Sequence, residues 1–488
     1  MIKKIFKCVA IVIGMVALQS CDKGPDYGKM SPSMMDIAGA KSIGFINETA
    51  ASRGEALSSG LYKIDANGNI SAVAVYFTED EYGNQTQHQD EVKMKSADIY
   101  NVGTDYLFFN DCMFVDKKGE HIYALPYKIL VRKSDGKMWS LDYDDTGVWF
   151  GGHLEEGQYY QAYDGTLYYS EIHGGYLENI YKLNLKTEPA TVEQVTANVE
   201  IKLPFAVDSK GVICGPVNSP DSYWWRGTFA WQNSGFQKVK LERSDFPYIR
   251  DYSDIVEGLE VSSYSSILPC IVDFRGQFYS VCGLVPDLRL NRKDVNLSDY
   301  PFVELGVCNK ISIGDTPGSA KIDDSETINI KNDIGSDNGY KLESVMTTDE
   351  YILTSGYTNN YPRKPWITAL NPETKTWKWV TETPDLIRFD KTVNYNNRYW
   401  VVTTIDENLG AWWIDIKTLE IGFVKFNEEI PSYMDKSIYD FADGKLIYSG
   451  VNPADSHQVK IAFDLMTGNA VTNDNAPVYK FSTLVTLN

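Results

Sequence analysis

The sequence predicts an all-β fold, a β-propeller of four-stranded blades, from two alternating hairpins and an aromatic-rich composition. The first hairpin is an apolar residue, a short polar turn, then an apolar or aromatic run. It begins at Val115, Ala162, Val207, Val272, Val393 and Phe441, with Thr348-Asp349-Glu350-Tyr351 as a degenerate copy. Its turn positions are 119, 165, 211, 276, 350, 397 and 444, separated by 46, 46, 65, 74, 47 and 47 residues. A period in the forties, with a strand on each side of the turn, is the spacing of propeller blades. Of 488 residues, 43% are hydrophobic and 13% aromatic, with 32 Tyr and 11 Trp, enough apolar surface for a packed core. Aromatic cross-strand pairs account for much of that content, and a ligand-stacking surface would use the same residues.

The second hairpin is an apolar strand, then Asp or Asn, then Thr three residues on. Asn184 with Thr187, Asn371 with Thr374, Asp415 with Thr418 and Asp464 with Thr467 follow it, and Asp65 with Gly68 is an early relative. An Asp or Asn side chain accepts bonds from backbone N–H groups two or three residues on, which closes a turn locally. Each blade therefore takes its first two strands from the first hairpin and its last two from the second. Seven first-type hairpins follow a partial blade at residues 42–46 and 61–77, which the terminal strand at 478–487 completes. Closing the ring this way removes an exposed sheet edge. The expectation is eight blades over residues 39–488, with seven as the alternative. The two longer intervals mark insertions, the larger around residues 286–340 and forming either long loops alone or long loops with extra strands such as residues 327–330.

Asp464, Thr467 and Gly468 resemble the Asp-x-x-Thr-Gly-x-x-x-Trp repeat of quinoprotein-like propellers, with Thr472 in place of Trp; so do Asn371, Thr374 and Trp379, with Lys375 for Gly, and Asp415 with Thr418, with Leu419 for Gly and Phe423 for Trp. The resemblance covers about one hairpin per blade and implies a propeller. No adjacent cysteine pair, typical of quinoprotein dehydrogenases, is present, and no cofactor is expected.

Residues 1–20 read as a lipoprotein signal peptide. Lys3, Lys4 and Lys7 form a positive start, and residues 9–17 an apolar stretch too short to span a bilayer. Leu18-Gln19-Ser20-Cys21 resembles the bacterial lipobox, which implies that Cys21 is acylated, palmitate being a typical chain, and becomes the mature N-terminus. Residues 21–38, rich in Gly, Pro, Ser and charge, read as a flexible tether. A tether of this kind resembles lipoproteins of the Bacteroidota, many of them displayed outside the cell, and implies the outer membrane. The formal charge is −20, and residues 1–20 hold three lysines and no acid, so the remainder is more negative still. Such a surface repels phosphate backbones and anionic lipid, which argues against nucleic acid and leaves the lipid anchor as the attachment to the membrane.

Five cysteines remain beyond Cys8 and Cys21. Cys270 and Cys282 lie symmetrically about Gly276, so they either pair as a disulfide or are two small buried apolar residues. Strand order puts both turn types on one face of the ring and the longer connections on the other, where function concentrates. The candidate ligand-binding residues on that connection face are His173, Tyr176, the run Tyr223-Trp224-Trp225-Arg226, Tyr357 and Tyr361. Trp412-Trp413 is expected in the core. Glu171 with His173 is the one candidate acid–base pair. No His-Glu-x-x-His or Gly-x-Ser-x-Gly motif occurs, and Asp333 with Asp337-Asn338-Gly339 falls short of calcium-loop spacing, so neither a catalytic residue nor a metal site is expected. The composite expectation is a lipid-anchored envelope propeller, a monomer or the subunit of an envelope complex, binding a glycan or envelope protein without catalysis. Glycan cleavage, or service as a scaffold in an outer-membrane assembly complex, are the alternatives.

Overall fold

In this computed structural model the described residues are 30–46, 59–65, 69–78, 85–87, 92–102, 105–141, 159–173, 176–185, 191–197, 205–216, 227–230, 238–240, 249–256, 259–262, 270–286, 296–316, 319–359, 362–384, 386–389, 392–405, 408–434, 440–442, 444–454, 458–473 and 481–487. The fold is a β-propeller built from antiparallel four-stranded sheets. Numbered in chain order, sheet 1 places the C-terminal strand Phe481–Thr486 beside Ala40–Ile46, followed by Gly60–Asp65 and Ile70–Ala72. Sheet 2 runs Val92–Val102, Tyr106–Asp116, Ile129–Arg132 and Met138–Ser140. Sheet 3 runs Tyr159–Gln161, Leu167–His173, Tyr176–Asn184 and Thr191–Ala197, and sheet 4 Ala206–Val207, Ile213–Pro216, Gly227–Ala230 and Lys238–Lys240. Sheet 5 is Cys270–Phe274, Gln277–Gly283, Glu304–Ser312 and Lys321–Lys331, and sheet 6 Tyr340–Thr347, Ile352–Thr358, Pro365–Asn371 and Thr376–Glu382. Thr392–Tyr395, Arg398–Ile405, Asn408–Asp415 and Ile421–Lys425 make sheet 7, and Asp440–Ala442, Lys445–Val451, Gln458–Asp464 and Ala470–Asn473 sheet 8.

The core lies between sheets rather than within one. Phe108, Leu130 and Trp139 of sheet 2 pack on Leu167, Tyr169 and Tyr181 of sheet 3. Tyr168 and Ile180 of sheet 3 meet Val207 and Ile213 of sheet 4. Cys214 of sheet 4, Phe278 and Val307 of sheet 5, and Tyr340 and Leu370 of sheet 6 share one cluster. Leu353 and Ile367 of sheet 6 pack with Ile414 of sheet 7, and Trp400 of sheet 7 with Leu446 and Phe463 of sheet 8. A sheet covered on both faces buries every position, and all seven residues of Ile352–Thr358 are buried, the Thr354 hydroxyl being paired with that of Thr368 at 2.5 Å. Trp412 and Trp413 alternate as adjacent strand residues must, one packing toward the sheet 6 side and the other toward sheet 8.

The turn chemistry follows the sequence closely. Asn371 Oδ1 accepts from the Thr374 N–H at 3.0 Å, Asp415 Oδ1 from Thr418 at 2.8 Å, and Asp464 Oδ1 from Thr467 at 2.9 Å. Thr348 closes the degenerate copy instead, its hydroxyl accepting from the Tyr351 N–H at 2.9 Å. Asn396 and Asn397, with φ 55° and 57°, make the left-handed two-residue turn that matches strand twist.

Two sequence readings are corrected and two open ones are decided. The Gly119 turn does not join the first two strands of its sheet: those strands are eleven residues each and meet at residues 103–105. Instead it folds the end of Tyr106–Asp116 back on itself, bridging Val115 to His121. Of the two readings of the segment around 286–340, the one with extra strands holds: Glu304–Ser312 and Lys321–Lys331, the latter containing residues 327–330, are the outer strands of sheet 5. The tether expected over 21–38 extends no further than residue 29. Ser31–Met35 is a strand paired with Val75–Thr78, and Met30, Met35 and Ile37 are buried. Cys270 and Cys282 are free thiols. The hairpin is centred between Arg275 and Gly276, so Cys270 faces Val281, and Cys282 falls on the opposite side of the sheet. Burial pushes the Cys270 thiol up to about 11 and Cys282 further up.

Candidate functional site

The two faces of the ring differ in how their loops are held. On the turn face, backbone bonds lace the short loops together: Leu465 N–H to Gly444 O at 2.8 Å, Ile416 N–H to Asn397 O at 3.1 Å, and Ser209 N–H to Gly276 O at 2.9 Å across two sheets. Behind that last contact lies a polar cluster. The Tyr160 hydroxyl of sheet 3 donates to Asp273 Oδ2 of sheet 5, passing the short innermost strand of sheet 4. Asp208, 7% exposed, accepts from the Lys210 and Val212 N–H groups at 2.9 and 2.8 Å. Burial holds both carboxyls above the ordinary carboxylate range, Asp273 against the opposing pull of the Tyr160 hydroxyl. Asp273 Oδ1 is buried with no hydrogen-bond partner.

The connection face carries aromatics. The Gly119 turn opens a loop whose backbone is fixed by the bond from Ile122 N–H to Phe114 O at 2.9 Å, and by burial of the Ile122 and Leu125 side chains. Between and beyond those two anchors, Tyr123 is 76% and Tyr127 42% exposed. The His121 ring lies 4.2 Å from Tyr123 and 5.9 Å from Tyr127, centroid to centroid. Adjacent, Met113 is also exposed. A second patch stands on the sheet 5 connections, where Phe302 lies 5.9 Å from both Tyr252 and Tyr300, with Ile255 exposed nearby in sequence to Tyr252.

Sequence reasoning placed the site elsewhere on this face. Tyr357 is 8% exposed, with the Arg363 guanidinium 4.5 Å and the Lys341 ammonium 5.4 Å from its ring centroid. The Lys341 ammonium also bonds the Tyr357 hydroxyl at 3.0 Å and pairs with Glu343. Tyr357 is thus a covered ring that orients two cations rather than an open stacking platform. His173 and Tyr176 face each other in register as the last pair of the sheet 3 hairpin, with Glu171 opposite Asn179. Tyr223, Trp224, Trp225, Arg226, Tyr361 and Cys21 lie outside the described residues. The His121–Tyr123–Tyr127 group was visible in the sequence as a turn motif. Its signal was Tyr123 following buried Ile122 on a connection loop, which only the correct strand order exposes. Among the described residues, no group of three or more His, Cys, Asp and Glu side chains is arranged to hold a metal ion.

No protein-family model matches the chain, and no curated protein does. Solved structures similar to it include a prolyl endopeptidase, 10% identical with TM-score 0.35 over 89% of this chain and 55% of that one. Another is the dipeptidyl peptidase 4 of Porphyromonas gingivalis, 9% identical with TM-score 0.37 over 78% of this chain and 53% of that one. A third is an oligogalacturonate lyase in complex with manganese, 10% identical with TM-score 0.31 over 73% of this chain and 93% of that one. The chain spans about half the length of the two peptidases. At these scores the likenesses carry no argument about activity, and the fold rests on the strand order itself.

Proposed function

We propose that this chain is a lipid-anchored cell-envelope propeller whose connection face binds a glycan or a protein partner without catalysis. The observation that carries the reading is the sheet 2 loop: Tyr123 and Tyr127 stand exposed beside His121 on a backbone already fixed by Ile122 and Leu125. An aromatic ring on a pre-set loop offers large contact area at small entropic cost, the property of stacking and anchor residues. The sheet 5 patch extends the same surface.

The finer architecture belongs to this reading. The eight four-stranded sheets are the eight blades of one ring. Shared clusters between successive sheets support this, as does the seam, where the C-terminal strand joins sheet 1 and the Ser42 hydroxyl bonds the Phe441 carbonyl of sheet 8 at 3.5 Å. The address rests on residues 1–21: a Bacteroidota-type lipoprotein, acylated at Cys21, held at the outer membrane and displayed at the cell surface. Two or more acyl chains give stable anchoring where one does not.

The test is a glycan array and an envelope pulldown with the purified protein and its Tyr123→Ala, Trp224→Ala and Trp225→Ala variants. Ligand capture that falls at least tenfold in Tyr123→Ala supports the reading. Capture unchanged in all three dismisses the aromatic surface, and recovery of outer-membrane assembly proteins alone favours the scaffold role. One feature favours glycan cleavage: Asp208, buried, and Asp273, half-buried, are neighbouring carboxyls, both raised, beside a tyrosine hydroxyl. New reducing ends from polysaccharide substrates, lost in Asp273→Asn, would establish it.

A further inference from the structure

A half-open cavity of about 220 Å³, walled by apolar side chains and by polar atoms alike, opens where sheets 1 and 2 meet the N-terminal three-stranded sheet of Ser31–Met35, Val75–Thr78 and Gln85–Gln87. Leu61, Val73, Phe77, Val92, Met94 and Phe114 line it, all buried. The exposed Ala72 and Lys93 are also among its lining residues and mark its mouth. An apolar cavity of about 150 Å³ already admits a benzene ring, so this one has room for a run of methylenes.

The course of the chain says what fills it. Pro32 is paired with Phe77, a wall of the cavity, and Ser31 with Thr78. Met30 is buried in the same cluster as Phe77, Val92, Met94 and Phe114. The N-terminal segment therefore leaves the fold at the cavity's edge. Met30 lies nine residue steps beyond Cys21, and an extended chain covers up to about 3.6 Å per step, roughly 30 Å in all. We infer that this cavity takes an acyl chain carried on Cys21, an inference that rests on Cys21 as the lipid-bearing residue. One chain is drawn into the protein while the others stay in the bilayer. The exposed Lys93 ammonium at the mouth suits the ester or headgroup oxygens left outside. Seating that chain holds the sheet 1 and sheet 2 side of the ring close to the membrane surface.

The test compares three full-length proteins: wild type purified into nanodiscs, Cys21→Ser, and Cys21→Ser with Ala72→Trp at the exposed mouth. Each is titrated with palmitate, and intact mass reports whether wild type is acylated. The inference expects acylated wild type, saturable one-to-one palmitate binding by Cys21→Ser, binding at least tenfold weaker by wild type, and a similar loss in the Ala72→Trp variant. Because Ala72 is exposed, that variant keeps its fold, which its thermal transition checks. Acylated wild type that binds palmitate as tightly as Cys21→Ser overturns the inference, since the cavity is then open to lipid from elsewhere. So does Cys21→Ser that binds no palmitate. Unacylated wild type also overturns it, and does so by removing the anchor rather than the cavity.

Discussion

On the turn face, side-chain carboxylates and amides cap the backbone of short loops, and those loops bond to one another across strands and sheets. On the connection face, tyrosines stand in solvent on a loop held by two buried aliphatic residues. The first arrangement spends polar side chains on the protein itself. The second places the Tyr123 ring in solvent, 76% exposed. Bonded polar side chains and exposed rings thus lie at opposite ends of the same strands, and substitutions should sort accordingly.

The largest loss is expected at Gly468, whose φ is 74° and where a Cβ would sit 2.2 Å from the Lys425 carbonyl oxygen. Gly468→Ala combines left-handed strain with a backbone clash and should cost about 2–4 kcal/mol in chemical denaturation. A loss below about 1 kcal/mol would mean that sheets 7 and 8 do not meet tightly at this turn. Next comes the clamp across sheet 4. Tyr160→Phe leaves Asp273 without its hydroxyl donor and should cost about 1–3 kcal/mol, whereas Asp273→Asn keeps an acceptor for Tyr160 and should cost less.

The same clamp gives a pH signature. Asp273 and Asp208 are raised in the folded state by burial. The fold therefore binds their protons more tightly than the unfolded chain, and their contribution is unfavourable above the raised values. It is relieved as the pH falls toward the ordinary carboxylate range. Asp415 behaves oppositely, because the Thr418 N–H holds it below that range, so its contribution is present at neutral pH and lost on acidification. Wild type minus Asp273→Asn, measured by denaturation between pH 4 and 8, should therefore show wild type losing ground as the pH rises. A flat difference would mean that Asp273 is hydrated. Asp464→Ala, which removes the carboxyl accepting from both the Thr467 N–H and its hydroxyl at 2.9 Å, should cost about 1 kcal/mol. Smallest of all is Tyr123→Ala, expected within about 0.5 kcal/mol of wild type because the ring is in solvent. A larger loss would place Tyr123 with the turn-face residues and remove it as a recognition group.

How far the sequence could be read follows the range of the interactions. The Asp or Asn with Thr signals at 371, 415 and 464 were legible because each cap closes within three residues. The Gly119 turn was legible as a turn and misplaced as an element, because nothing near it records that the strands on either side of residues 103–105 are long. The symmetric pair Cys270 and Cys282 misled for a related reason: a half-residue shift in the centre of the hairpin moves one thiol to the other side. Tyr357 read as a ligand-facing aromatic, but its cover comes from Lys341, on another strand, and from Arg363, beyond the end of its own.

The sequence by itself determined the turns, the period and the closing strand, since each depends on side chains bonding to backbone a few residues away or on apolar runs long enough to be buried on both faces. Only the tertiary structure decided which rings face solvent, that Tyr160 reaches Asp273 across a sheet, and that the N-terminal strand leaves the fold beside a cavity. Those outcomes depend on neighbours brought together from distant parts of the chain, and burial is a property of the neighbours as much as of the residue itself.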